Sequence, residues 1–167
     1  MSDRHPMADD PTFRLCIEAA LASPCQKLRF GAVLTAPDGR TMSGQNRTIQ
    51  GLEGLCTPTC IRIAIQSRTE SMLGACGHAE ERLLWQAARA GWPMESCSLF
   101  IAGVNAEGQP NRRKRAEFTC LRCAVAMHYS GIGSVYVAMT DPPGWVRLDP
   151  KDCLATAKEY ALGEKKV

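Results

Sequence analysis

The stretch from Gly77 to Ala90 reads GHAEERLLWQAARA, and it specifies one helix more firmly than any other part of the chain. Strong helix formers fill it, Ala79, Leu83, Leu84 and Ala87 fall on one inward stripe, and Gly91 stands where a helix ends. A helix is therefore expected over His78–Ala90. Downstream, Cys120–Ser130 (CLRCAVAMHYS) reads as another helix, ended by Gly131. Between them Ser98–Val104 (SLFIAGV) reads as a strand and residues 105–118 as a polar loop. Ser134–Ala138 (SVYVA) is a further strand.

Upstream, Asp10 and Pro11 resemble an N-cap and first helical position. Phe13, Leu15, Cys16, Ala19 and Ala20 then keep helical spacing up to Pro24. The apolar run Phe30–Thr35 (FGAVLT), the turn residues Pro37, Asp38 and Gly39, and Thr41–Gln45 read as a hairpin. Residues 46–77 make a long connection for a compact domain, hence a candidate functional loop, with a short helix expected near Cys60–Ser67. Asp141 to Gly144 (DPPG) breaks the chain, Trp145–Leu148 is strand or loop, and Pro150–Leu162 should form a final amphipathic helix. Short strands alternating with helices imply an α/β domain with one partly parallel sheet covered on both faces. Its C-terminal end is open at this stage. GEKKV as a last strand would run parallel to Ser134–Ala138, whereas pairing through Trp145–Leu148 would be antiparallel.

A length of 167 residues, 45% hydrophobic and 22% charged, describes one domain over 1–167, with 1–9 expected as a disordered tail. The net charge of +3 is too mild to imply nucleic acid, which is a possible but not a favoured partner. MSDRHPMADD lacks the apolar stretch of a secretory signal, and no run has the length to cross a bilayer, so a cytoplasmic, reducing setting without membrane attachment is expected. There, nine cysteines point to metal binding or catalysis before disulfides.

His78 and the pair Cys120 and Cys123 each open a predicted helix. One imidazole and two thiolates supply the three protein ligands of a catalytic zinc and leave a fourth position for water. Helix N-termini favour thiolate over thiol, which suits metal binding. Glu80, two residues after His78, is placed for general acid/base work. Cys25, Cys56, Cys60 and Cys76 are candidates for a second, structural zinc, since CTPTC has permissible ligand spacing; the alternative is that some are small buried hydrophobes. Cys16, Cys97 and Cys153 read as core residues. Arg112, Arg113, Lys114 and Arg115 would bind a phosphate or a nucleic-acid backbone, or be solvated loop charge. Arg47 divides in the same way between phosphate ligand and structural ion-pair partner. His128 reads as a packing or capping residue, His5 as part of the tail, and Trp85 as a partly buried helix residue at an oligomer contact.

His-x-Glu followed by Cys-x-x-Cys is the pattern of zinc nucleobase deaminases. Through SPCQKLRFGAVL, GQNRT, GHAEERLL, CLRCAVAM and SGIGSVYV, from Pro24 to Ala138, the chain resembles the cytidine and deoxycytidylate deaminase superfamily. Its cysteines at 25, 56, 60 and 76 look most like those of deoxycytidylate deaminases. The resemblance implies a three-layer α/β/α fold whose central mixed five-stranded sheet is flanked by helices. It implies a metal-activated water attacking the amino-bearing ring carbon while Glu80 moves protons, Asn46 bonding the substrate ring or sugar, the backbone carbonyl of Ala79 facing the exocyclic amine, and association as a dimer or larger homo-oligomer. Thr119 stands where the family has proline, Arg47 where deoxycytidylate enzymes have glycine, and the loop before Thr119 is long and basic.

The leading expectation is thus a small pyrimidine nucleotide such as deoxycytidylate as substrate, with Arg47 among its contacts. The other readings are a deaminase of tRNA or single-stranded DNA, a deaminase of a modified base or other amino-heterocycle, and a non-catalytic zinc scaffold.

Overall fold

The computed structural model of the protein describes residues 5–63, 75–111 and 120–162. Helix α1 (Pro11–Leu21) begins as its sequence dictates: Asp10 adopts the extended N-cap conformation, its side chain accepts from the Phe13 N–H, and Pro11 occupies the first helical position. Strand β1 (Arg29–Thr35) turns at Gly39, in the left-handed conformation, into β2 (Thr41–Gln45). Two short strands follow, β3 (Arg47–Thr48) and β4 (Cys76–Gly77), then α2 (Ala79–Arg89), β5 (Ser98–Val104), α3 (Leu121–Ser130), β6 (Ser134–Thr140), β7 (Pro143–Leu148) and α4 (Pro150–Ala161).

The main sheet has the order β2-β1-β5-β6-β7, mixed in direction: β5 and β6 run parallel, joined through α3, and every other neighbour is antiparallel. The open question at the C-terminal end is thereby answered. β7 pairs antiparallel with β6, Val137 opposite Val146, while residues 163–167 lie outside the described ones.

Strand alternation assigns each side chain to a layer. Ala32, Leu34, Leu99, Ile101, Val135 and Val137 point to one face, where α2, α3 and α4 cover them with Leu83, Leu84, Met127, Cys153 and Ala157. Val33, Ala102 and Ala138 point to the other, under Phe13 and Cys16 of α1. Helices thus flank the sheet on both faces, the α/β/α arrangement expected. Gly31 permits the closest approach: a Cβ there would collide with the carbonyl oxygen of Cys16 and the backbone nitrogen of Ala20, so α1 lies almost on the strand.

One expectation is corrected. Residues 5–9, read as disordered tail, are packed. The His5 ring stacks on Phe13 at 4.6 Å, Met7 is buried in the α1-side core, and backbone bonds from Ala8 to His5 and from Asp10 to Met7 close turns. Trp145 of β7 donates to Asp10 at 2.9 Å and holds the segment from below. The polar composition concealed the two side chains that do the packing. Of the helix expected at Cys60–Ser67, residues 61–63 form a turn and the remainder lies outside the described residues. No helix among the described residues is long and apolar enough to cross a membrane.

Candidate metal centre

α2 and α3 pack against each other with their N-termini side by side. The residues opening them are N-caps, not first helical residues: His78 has φ −69 and ψ 155, and Cys120 has φ −64 and ψ 154. Both side chains therefore leave the chain at the helix mouth, where free N–H groups and the dipole favour negative charge. Cys123, in the first turn of α3, is fully buried. His78 Nδ1 lies 3.2 Å from Cys120 Sγ and 3.3 Å from Cys123 Sγ, and the three donor atoms lie within 4.8 Å of one another. In a tetrahedral zinc site, bond lengths near 2.0 and 2.3 Å place nitrogen and sulfur about 3.6 Å apart, so small outward movements would admit the ion. The donor set fits zinc: three borderline-to-soft ligands whose donor atoms lie within 4.8 Å of one another.

The electrostatics agree with that chemistry. A hydrogen bond from Cys123, opposed by burial and reinforced by His78, brings the Cys120 thiol down to about 4. Cys123, as the donor to Cys120 and buried, is pushed well up. The bond to Cys120 raises His78, against burial, and the charges of Cys120 and Glu80 add to it. The trio thus pairs one thiolate, Cys120, with a buried thiol, Cys123, whose proton a divalent cation can displace. Glu80, half-buried on the first turn of α2, acts electrostatically on both His78 and Cys123.

Two residues absent from the sequence reading tie the helix mouths together. Glu81 receives a two-pronged ion pair from Arg122, Nε to Oε1 at 3.0 Å and Nη2 to Oε2 at 2.8 Å, and the His78 backbone N–H lies 3.4 Å from Glu81 Oε2. Their signal was faint: an acid three residues after one ligand and a base between the other two.

Asn46 is buried, and much of its bonding capacity is spent internally. Oδ1 accepts from Phe30 N–H at 2.8 Å and from Ser23 Oγ at 2.9 Å, and Nδ2 donates to the Leu28 carbonyl at 2.7 Å. One Nδ2 hydrogen remains for any ligand. Arg47 is exposed and lies opposite Gly77 in the β3–β4 pair, one residue from His78. Beside it, Arg82 donates to the Gln45 carbonyl at 2.6 Å; burial, then the charge of Arg47, lowers its pKa. Ala79 is fully buried between His78 and Glu80.

Cys25, Cys56, Cys60 and Cys76 come near one another as a looser set than the first trio. Cys56 Sγ lies 3.8 Å from Cys76 Sγ, Cys60 interacts with Cys56 and Cys25, and Cys25 also acts on Cys76. Gln26 fastens this loop by donating to the carbonyls of Cys56 and Pro58 and accepting from Cys60 N–H. Cys16, Cys97 and Cys153 are buried in the core, as expected. His128 is exposed near the end of α3, edge-on to Tyr129, and Trp85 is 47% exposed. Arg112–Arg115 and Thr119 lie outside the described residues.

The family described as the cytidine and deoxycytidylate deaminase zinc-binding region matches residues 7–139, and the chain belongs to it. The centre built from His78, Cys120 and Cys123 falls inside that span. Among solved structures, cytidine deaminase from Burkholderia pseudomallei superposes with a TM-score of 0.55 at 18% identity, covering 85% of this chain and 92% of that one. Cytidine deaminase from Mycobacterium tuberculosis matches with a TM-score of 0.44 at 18% identity, over 79% and 85%. No curated protein sequence matches the chain.

Proposed function

We propose that this protein is a hydrolytic deaminase that replaces the amino group of a pyrimidine nucleotide by a carbonyl and releases ammonia, with deoxycytidylate or a close analogue as substrate. The observation that carries the reading is the convergence of His78 Nδ1 on two sulfurs at 3.2 and 3.3 Å with Glu80 beside them. His78, Cys120 and Cys123 are the residues that would hold zinc, which when bound supplies a nucleophilic water at neutral pH. Glu80 takes the proton of the attacking water, passes it to the ring nitrogen, and delivers a proton to the departing amine. The balance is one water consumed and one ammonia released. Asn46 offers its remaining Nδ2–H to the ligand. Arg47 supports a nucleotide over a free base: it is exposed beside His78, and no ion pair is formed by it among the described residues. A substrate phosphate would meet that charge.

The test is ammonia release across cytosine, adenine and guanine bases, nucleosides, nucleotides and oligonucleotides, for the wild type and Glu80→Gln. Turnover confined to cytosine nucleotides and lost in Glu80→Gln supports the proposal. Turnover confined to oligonucleotides replaces it with the nucleic-acid reading, and no turnover on any of them overturns it in favour of a different amino-heterocycle or a zinc scaffold.

The same proposal extends to a second zinc on Cys25, Cys56, Cys60 and Cys76. Two thiolates on one tetrahedral zinc lie about 3.8 Å apart, the separation of Cys56 and Cys76. Two zinc ions per wild-type chain, and one in Cys56→Ser, support it; an unchanged content in that variant removes it. The free state of all nine cysteines supports a reducing, cytoplasmic setting. Exposed Leu121, Val125 and Tyr129, spaced along one face of α3, support a homo-oligomer contact, which light scattering reads as molar mass.

A further inference from the structure

We infer that the Glu81–Arg122 pair is a positioning device for the metal, holding the two ligand-bearing helix mouths at the separation the ion requires. The inference rests on the assignment of His78, Cys120 and Cys123 as ligands. The three ligands come from two segments 42 residues apart in the chain: His78 precedes α2, and the cysteines open α3. Each member of the pair is embedded in one of those segments. Glu81 stands in the first turn of α2, with its Oε2 3.4 Å from the His78 N–H; Arg122 stands between Cys120 and Cys123. The bridge uses both carboxylate oxygens and two guanidinium nitrogens, at 3.0 and 2.8 Å, so it fixes orientation as well as distance.

Solvent does not dissolve this pair as it does most surface ion pairs, because the side chains are only 27% (Arg122) and 16% (Glu81) exposed. Its position also makes it electrically relevant. Arg122 stands between the two cysteine ligands and Glu81 three residues after His78, so both charges lie beside the ligands. Removing either one both loosens the helix mouths and leaves an uncompensated charge beside the metal. Outer partners of metal ligands commonly contribute 10- to 100-fold in metal affinity, and that is the loss expected here.

The experiment measures zinc affinity by chelator competition on full-length protein for Glu81→Gln, Arg122→Gln, the double variant, Arg122→Lys and His78→Ala. Visible spectra of the cobalt-substituted forms are taken in parallel. Each single neutral variant is expected to lose about 10- to 100-fold in affinity and to shift the cobalt bands. The double variant should lose less than the two singles combined, because one interaction is removed twice. Arg122→Lys should fall between wild type and Arg122→Gln, since an ammonium keeps the charge but not the fork; it also serves if a neutral variant fails to fold. A pair that only stabilises the fold would lower the melting temperature and leave zinc affinity and the cobalt spectrum unchanged. That result, with His78→Ala losing one zinc per chain relative to wild type, overturns the inference alone. Wild-type affinity in His78→Ala instead overturns the ligand assignment beneath it.

Discussion

Ser23 Oγ lies 2.6 Å from the backbone carbonyl oxygen of Asn46 and 2.9 Å from its side-chain Oδ1. This buried contact joins the end of α1 to the residue following β2, and it turns the Asn46 amide so that Nδ2 faces the Leu28 carbonyl. The amide is therefore a structural keystone for the chain between Ser23 and Phe30 before it is anything else.

Asn46→Ala should destabilise the protein by about 2–4 kcal/mol, because the Phe30 N–H and the Leu28 carbonyl lose their partner together, while Ser23 keeps the backbone carbonyl of residue 46. Urea unfolding monitored by circular dichroism measures it. A loss below about 0.5 kcal/mol, the range of ordinary surface substitutions, would show that water replaces the amide.

Glu80→Gln should keep zinc and fold while reducing turnover by about 10²–10⁴-fold or more, the usual contribution of a positioned proton carrier. Metal analysis and ammonia release on the same preparation decide the matter. Turnover within a few-fold of wild type would remove Glu80 from its role.

Gly31→Ala should cost at least about 1–3 kcal/mol, since overpacking of a filled interface carries that penalty and the new methyl meets backbone of α1 at Cys16 and Ala20. Thermal unfolding reads the effect, and an unchanged midpoint would mean that α1 shifts freely on the sheet.

Burial, with the charge of Asp10 adding to it, pushes the Cys16 thiol up to about 12 from an ordinary value of 9.0. The folded state therefore prefers the neutral thiol, and the unfolded chain ionises first as pH rises. The stabilisation is complete below pH 9 and is lost progressively between about 9 and 12. By pH 10.5 the wild type should have lost about 2 kcal/mol that Cys16→Ala does not lose. Parallel alkaline profiles of the two proteins would refute the burial argument.

The helices and strands were legible wherever a residue stripe repeated. Leu83, Leu84 and Ala87 announced α2, and SLFIAGV coincides with β5 from Ser98 to Val104. The grouping of His78, Cys120 and Cys123 was legible too, because its chemistry restricts residue types and spacing. What escaped depends on contacts between distant segments that leave no periodic trace: the two-residue pairing of Arg47–Thr48 with Cys76–Gly77, the packing of His5 on Phe13, and the bridge between Glu81 and Arg122. The internal bonding of Asn46 was hidden for the same reason, since Ser23, Leu28 and Phe30 gather round it only after the hairpin has formed.

The sheet order leaves β2 and β7 on the outside. β7 opens on Pro143, which has no N–H to offer, and carries exposed Arg147; β2 is only five residues long, with Thr41 and Ser43 exposed. Such borders resist the addition of a foreign strand. Partially opened molecules are thereby discouraged from joining edge to edge into fibrils.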